Sequence, residues 1–139
     1  MSRWTWMVVP LLAALLGGPS SPSSAEDWRG FRGNDGSGIS RDETPTPIHW
    51  SGTENLRWSI ELPGAGSSSP IVVGETVLVT CYSGYGSPAG GPTEISGLKR
   101  HLVCVDRQTG KELWRSTIES ASREDAYQGF ITEHGYASS

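Results

Sequence analysis

The stretch that decides the fold runs from residue 102 to residue 114 and reads LVCVDRQTGKELW. Apolar side chains recur on both sides of its polar centre, which favours two β-strands at 101–106 and 111–118. The polar centre ends in Gly110, a residue suited to the positive φ of a tight turn followed by a bulge. The sequence therefore predicts an antiparallel hairpin here.

Further strands are predicted upstream of this hairpin. Residues 69–73 and 76–82 are apolar and rich in β-branched side chains, and the Gly74-Glu75 pair between them is typical of a two-residue hairpin turn. A spacing of two between apolar residues at 56–60 favours another strand within 49–60. We expect an all-β chain with a four-stranded antiparallel meander over 69–118, a Gly-, Ser- and Pro-rich loop at 83–97 and one helical turn at 122–127.

Composition excludes several classes of protein. The chain has 139 residues, enough for one small domain, and its 18 Gly and 9 Pro disfavour a long helical bundle. The net charge is -4 and the 11 Lys and Arg residues are dispersed, which argues against nucleic acid as a partner. Six Trp residues favour packing seams between sheets or ligand platforms.

Residues 1–25 have the features of a secretory signal peptide. Arg3 supplies the positive start, and an apolar run of about 13 residues follows, shorter than the ~20 that span a bilayer. Small residues ending in Ala25 resemble a cleavage site before Glu26. We therefore expect an exported protein, periplasmic or extracellular, with no membrane span after signal cleavage.

The segment 102–114 resembles the repeat of pyrroloquinoline-quinone-like (PQQ-like) β-propellers, which reads roughly apolar-x-Ala-x-Asp-x-x-Thr-Gly-Lys-x-x-Trp. The matching residues are Asp106, Thr109, Gly110, Lys111 and Trp114. Cys104 replaces the usual small Ala. The lead-in is similar to that of a group of secreted bacterial propeller proteins, with their Trp-x-x-Phe-Arg-Gly segment, Asn-x-x-Trp strand and Ser-Ser-Pro entry. The residues that fit are Trp28, Phe31, Arg32, Gly33, Asn55, Trp58, Ser68, Ser69 and Pro70.

This resemblance implies an incomplete propeller. Residues 26–66 would form an extended leader with one strand, 67–119 the first four-stranded blade, and 120–139 a linker with the start of a truncated second blade. Asp106 and Thr109 would hold the turn by local hydrogen bonds. Trp114 would lie across the next blade, with its indole N–H directed at a carbonyl there.

The function predicted from this resemblance is a non-catalytic binding or scaffold role toward an unidentified protein or polymer. We predict no catalytic residue, no metal ligand and no cofactor, although enzyme activity stays open. The alternative is part of a quinoprotein dehydrogenase, a class that holds PQQ with calcium. A third hypothesis is an export remnant without activity of its own.

Several residues allow two interpretations from sequence alone. Cys81 and Cys104 could form a disulfide after export or remain two buried thiols. Asn34 opens a segment that resembles half of a calcium loop, but Pro45 stands where the loop's closing Glu belongs, so a plain turn is favoured. Asp106 with Lys111 could act as an acid/base pair, and a turn-fixing Asp beside a solvated Lys is favoured instead. The histidines at 49, 101 and 134 lack the spacing of metal ligands.

Overall fold

The computed structural model describes residues 26–43, 45–87, 94–120 and 124–138. The predicted signal peptide lies outside these residues. The chain forms one open, four-stranded antiparallel sheet in the order β1-β2-β3-β4, which confirms the all-β class and the meander. Its elements are β1 (Ile71–Val73), β2 (Thr76–Ser83), a 3-10 turn (Ile95–Gly97), β3 (Lys99–Asp106), β4 (Glu112–Glu119) and α1 (Ile131–His134).

The first hairpin has the two-residue turn that the sequence predicts. Val73 pairs with Thr76, so only Gly74 and Glu75 lie between the strands. Gly74 has a φ of 55°, a conformation that costs glycine little. Its N–H donates to the Asp27 carboxylate at 2.7 Å, which ties the leader to this turn.

Strand pairing is regular except for one bulge. β2 and β3 pair over eight residues each, from Thr76 opposite Asp106 to Ser83 opposite Lys99. Between β3 and β4 the register shifts, because Cys104 pairs with Trp114 and Val105 with Glu112. Leu113 is therefore the extra residue of a β-bulge.

The sheet has two unlike faces, because side chains alternate along each strand. One side, the core face, buries Cys81, Val103 and Val105. Trp58, Ile60 and Leu62 lie over it from the leader, together with the strand residues Val77 and Val79. The other side, the open face, carries Leu102, Cys104, Trp114, Ser116 and Ile118, of which only Cys104 is buried. A small cluster of Tyr82, Leu98 and Ala137 covers only one end of the open face.

The strand predicted within residues 49–60 is wrong. No strand forms there, and the chain crosses the core face as an irregular extended segment. The spacing of two at 56–60 is real, but it reflects burial of alternate side chains, Trp58 and Ile60, against the sheet. Alternation of apolar residues indicates which side chains are buried, but it does not indicate whether the backbone is hydrogen-bonded to a neighbouring strand.

The C-terminal part of the described chain also differs from expectation. Residues 124–127 contain no helix, and residues 122 and 123 of the predicted turn lie outside the described ranges; the one short helix described here is α1 at 131–134. Tertiary contacts hold the earlier residues in an irregular path: Glu124 accepts hydrogen bonds from Arg100, and the Tyr127 N–H donates to the Tyr85 hydroxyl. Ser138 makes an isolated parallel bridge to Ser67, which brings the chain end beside the start of the sheet.

Candidate functional site

The turn between β3 and β4 is held by the Asp106 carboxylate. Its Oδ1 accepts hydrogen bonds from the Gln108 N–H at 3.0 Å, the Thr109 N–H at 2.8 Å and the Thr109 hydroxyl at 2.7 Å. The bonds from Thr109, followed by that from Gln108, lower the pKa of Asp106. Among the described ion pairs, none joins Asp106 to Lys111, so the geometry is that of a turn-fixing carboxylate.

Gly110 closes this turn. Its φ is 70°, and its N–H donates to the Asp106 carbonyl at 2.8 Å. A Cβ at this position would lie 2.6 Å from the Trp58 ring. The turn therefore needs glycine for two reasons, the left-handed backbone and the close approach of an indole.

Trp58 is docked on the same turn. Its Nε1–H donates to the Arg107 carbonyl at 2.9 Å while its ring lies against Gly110. The neighbouring Arg57 guanidinium donates to the Gln108 side-chain oxygen at 2.8 Å. Two neighbouring residues from outside the sheet thus contact the turn, Trp58 at the backbone of the turn and Arg57 at the Gln108 side chain.

Trp114 is the tryptophan that the sequence predicts to dock on a neighbouring blade, and its side chain is about half exposed. It retains 47% of its accessible surface, on the open face that also carries Leu102 and Ile118, and Ile118 is 66% exposed. A cleft of about 280 Å³ borders Leu102 and Ile118. Its lining includes Thr80, Leu102, Ser116, Ile118, Tyr136 and Ala137. The open face therefore presents an apolar surface that the described part of the chain does not cover.

Arg100 clamps the C-terminal segment onto the open face. Its two terminal nitrogens donate to the two Glu124 oxygens at 2.7 Å each, and its Nε–H donates to the Tyr136 carbonyl at 3.1 Å. The Glu124 side chain is only 13% exposed, and the guanidinium lies 5.8 Å from the centroid of the Tyr136 ring. Sequence reasoning missed this clamp, because no local pattern links residues 24 positions apart.

His101 lies on the core face between two hydroxyls. Its Nε2 is 2.8 Å from the Ser83 Oγ and its Nδ1 is 3.0 Å from the Thr117 Oγ1. The residue is 7% exposed, and burial, followed by the positive charges of Arg115 and Lys99, lowers the pKa of His101. The row of hydroxyl, imidazole and hydroxyl joins three strands by side-chain hydrogen bonds.

Cys81 and Cys104 are both buried and both free. Cys81 pairs with His101 on β3, three residues before Cys104, so the two side chains point to opposite faces of the sheet. This parity excludes the disulfide that the sequence left open. Burial raises the pKa of the Cys81 thiol.

In the segment that resembles half of a calcium loop, the polar side chains make hydrogen bonds and an ion pair with neighbouring residues. The Asp35 carboxylate accepts from the Ser37 N–H at 3.0 Å and pairs with Arg41 at 3.3 Å. The Asn34 side chain bonds to the Arg29 N–H and to the Asp27 carbonyl. Within the described ranges, no group of three or more His, Cys, Asp and Glu side chains is arranged to hold a metal ion.

Comparisons with known proteins give no further guide. A scan against protein-family models, a search of curated proteins and a search of solved structures returned no match to this chain. In the part of the chain that the structure describes, no helix has the length and apolar character needed to cross a membrane.

Proposed function

We propose that this chain is an exported β-propeller repeat unit of the PQQ-like kind, with a non-catalytic scaffold or binding role. The observation that carries the proposal is the contact between Trp58 and the turn that runs from Asp106 to Gly110. It is a tryptophan-to-turn contact between an extended segment and the sheet that follows it. In a stack of sheets, the same contact repeats from each unit to the next.

The two tryptophans stand in segments of similar composition, although the residue order and the Trp-to-Ile spacing differ. Residues 56–61 read LRWSIE and residues 113–119 read LWRSTIE. Trp58 and Ile60 cover the core face of this sheet. Trp114 and Ile118 occupy the open face, with much of their surface exposed. The unit thus receives a tryptophan on one face and presents a tryptophan on the other, which is the arrangement of a head-to-tail stack.

A head-to-tail stack of four-stranded sheets closes into a ring when the rotation between units allows it. Such a ring has four to eight blades, so this one sheet is a single unit of it. The polar side chains of the turn and of the core face are engaged in local hydrogen bonds, Asp106 with Thr109 and His101 with Ser83. These contacts suit a structural role, and we propose a protein or polymer as the partner.

The stacking proposal can be tested by emptying the tryptophan site. Trp58→Gly vacates the turn, so Trp114 of a second copy gains a place to dock. We expect the Trp58→Gly variant to form larger, head-to-tail assemblies than the wild-type chain in sedimentation velocity. The Trp58→Gly/Trp114→Ala variant should have the same mass distribution as the wild-type chain, and both variants should keep a β-type circular dichroism spectrum. Equal masses for the two variants would contradict the proposal.

Two further experiments address export and the dehydrogenase alternative. Mass spectrometry of the exported protein should find Glu26 at the N-terminus, and an intact Met1 would refute cleavage. Titration with PQQ and calcium should give no saturable quenching of tryptophan fluorescence at micromolar concentration. Saturable quenching that is lost on chelating calcium would instead favour a quinoprotein dehydrogenase.

A further inference from the structure

β4 forms an edge of the sheet, and no residue that the structure describes pairs along its outer side. All eight residues from Glu112 to Glu119 are exposed. Within the described residues β4 pairs only with β3, and the strand order ends at β4. An edge strand presents a row of backbone N–H and C=O groups that can pair with another strand.

Charged side chains usually protect such an edge against pairing. On β4 the charges are of both signs: Glu112 pairs with Arg115 at 2.6 Å, and Glu119 pairs with Lys99 of β3 at 3.5 Å. All these side chains are more than a third exposed, so the pairs contribute little and can exchange partners. Arg115 and Glu119 are four residues apart, and in an antiparallel pair of identical strands they can face each other.

Geometry limits the ways in which β4 can pair with a second copy of itself. In one continuous antiparallel sheet, residues that lie opposite each other point to the same face. A two-fold axis perpendicular to the sheet must therefore pair one residue, the centre, with the same residue of the second copy. The bulge at Leu113 twists the start of the strand, and a centre at Ile118 would pair only residues 117–119 of β4 with each other. The remaining centres are Arg115, Ser116 and Thr117. A centre at Arg115 opposes two guanidinium groups. A centre at Ser116 places Glu119 opposite the bulged Leu113.

A centre at Thr117 places side chains of opposite charge opposite each other. Arg115 of each copy then lies opposite Glu119 of the other copy, and the two Thr117 side chains form a favourable Thr–Thr pair. On the open face, Trp114 lies diagonally opposite Ile118 of the second copy, within reach of an aromatic side chain. This register contains two opposite-charge pairs and no pair of like charges directly opposite.

We propose that β4 pairs antiparallel with β4 of a second copy about Thr117, giving a two-fold, eight-stranded sheet. Main-chain hydrogen bonds supply the affinity, and the two Arg115–Glu119 pairs select the register. The pairing uses the strand edge and leaves both sheet faces free. It is therefore independent of the stacking proposed above.

The test is sedimentation velocity of the wild-type chain over a concentration series. We expect the wild-type chain to form a concentration-dependent dimer. Arg115→Glu should raise the dissociation constant of this dimer at least tenfold. The exchange variant Arg115→Glu/Glu119→Arg should restore the wild-type dissociation constant. Lys111→Glu changes the net charge as Arg115→Glu does, lies outside the paired residues, and should leave the dimer unchanged. A chain that stays monomeric throughout would overturn the proposal, and so would a dimer that Arg115→Glu does not weaken or the exchange variant does not restore.

Discussion

The segment at residues 56–62 and β4 contain similar residues in a different order and have different surroundings. Both place a tryptophan and an isoleucine on one side of an extended backbone. In the first segment Trp58 docks on the Asp106 turn and Ile60 packs on the core face. In β4 the backbone pairs with β3, while Trp114 and Ile118 stay exposed. The comparison teaches that a tryptophan and an isoleucine on one side of an extended segment can either cover a sheet or leave an apolar face exposed.

The largest expected effect comes from removing the docked tryptophan. Trp58→Ala deletes the indole over the core face and its hydrogen bond to the Arg107 carbonyl. We expect the free energy of unfolding to fall by roughly 3 kcal/mol, the lower end for a Trp→Ala change because Trp58 is half-buried. Denaturant unfolding measures this, with Trp50→Ala as the control. Trp50 is 74% exposed and should change stability by less than about 0.5 kcal/mol.

A methyl group at Gly110 should break the same contact from the other side. Gly110→Ala combines the strain of a positive φ with a Cβ 2.6 Å from the Trp58 ring, and we expect a loss of roughly 2 kcal/mol. Gly74→Ala separates the two causes, because Gly74 has a positive φ and no atom within 4 Å of its Cβ position. Its loss should be about 1 kcal/mol. Equal losses would mean that the indole does not press on the turn.

Acid should weaken the core face through His101. Because burial and the nearby cations lower its pKa, the unfolded chain takes up a proton at a higher pH than the folded chain. The free energy of unfolding should therefore fall as pH drops from about 6.5 toward the folded pKa. His101→Gln should flatten this part of a denaturation profile, and His49→Gln, at an exposed position, should retain it. A fall of unchanged size in His101→Gln would assign the effect to other groups.

The smallest effect is expected at Trp114. Trp114→Ala removes a side chain that is 47% exposed, so the free energy of unfolding of the single chain should fall by less than about 1 kcal/mol. Thermal unfolding measures this change. The difference between Trp114→Ala and Trp58→Ala expresses the contrast between the two faces as a free energy. Losses of similar size would show that the open face is as fully packed as the core face.

Local chemistry made part of this structure predictable. The Gly74-Glu75 turn and the Asp106–Thr109 bonds involve residues close in sequence, so residue type and spacing determine them. The cysteines depend on strand register, which the loop at 83–97 does not specify. The docking of Trp58 joins residues 49 positions apart, and Arg100 reaches Glu124 across another 24. These contacts form only when distant parts of the chain pack together, so no periodic pattern in the local sequence predicts them.

Hydrogen exchange of the indole N–H groups tests the central contrast most directly. In a nitrogen-15 NMR spectrum of the labelled chain, the Trp58 Nε1–H should exchange at least about tenfold more slowly than the Trp114 Nε1–H, since only the first donates to a half-buried carbonyl contact. Trp58→Phe identifies its signal. Equal exchange rates, or slower exchange at Trp114, would contradict a docked Trp58 and an open Trp114.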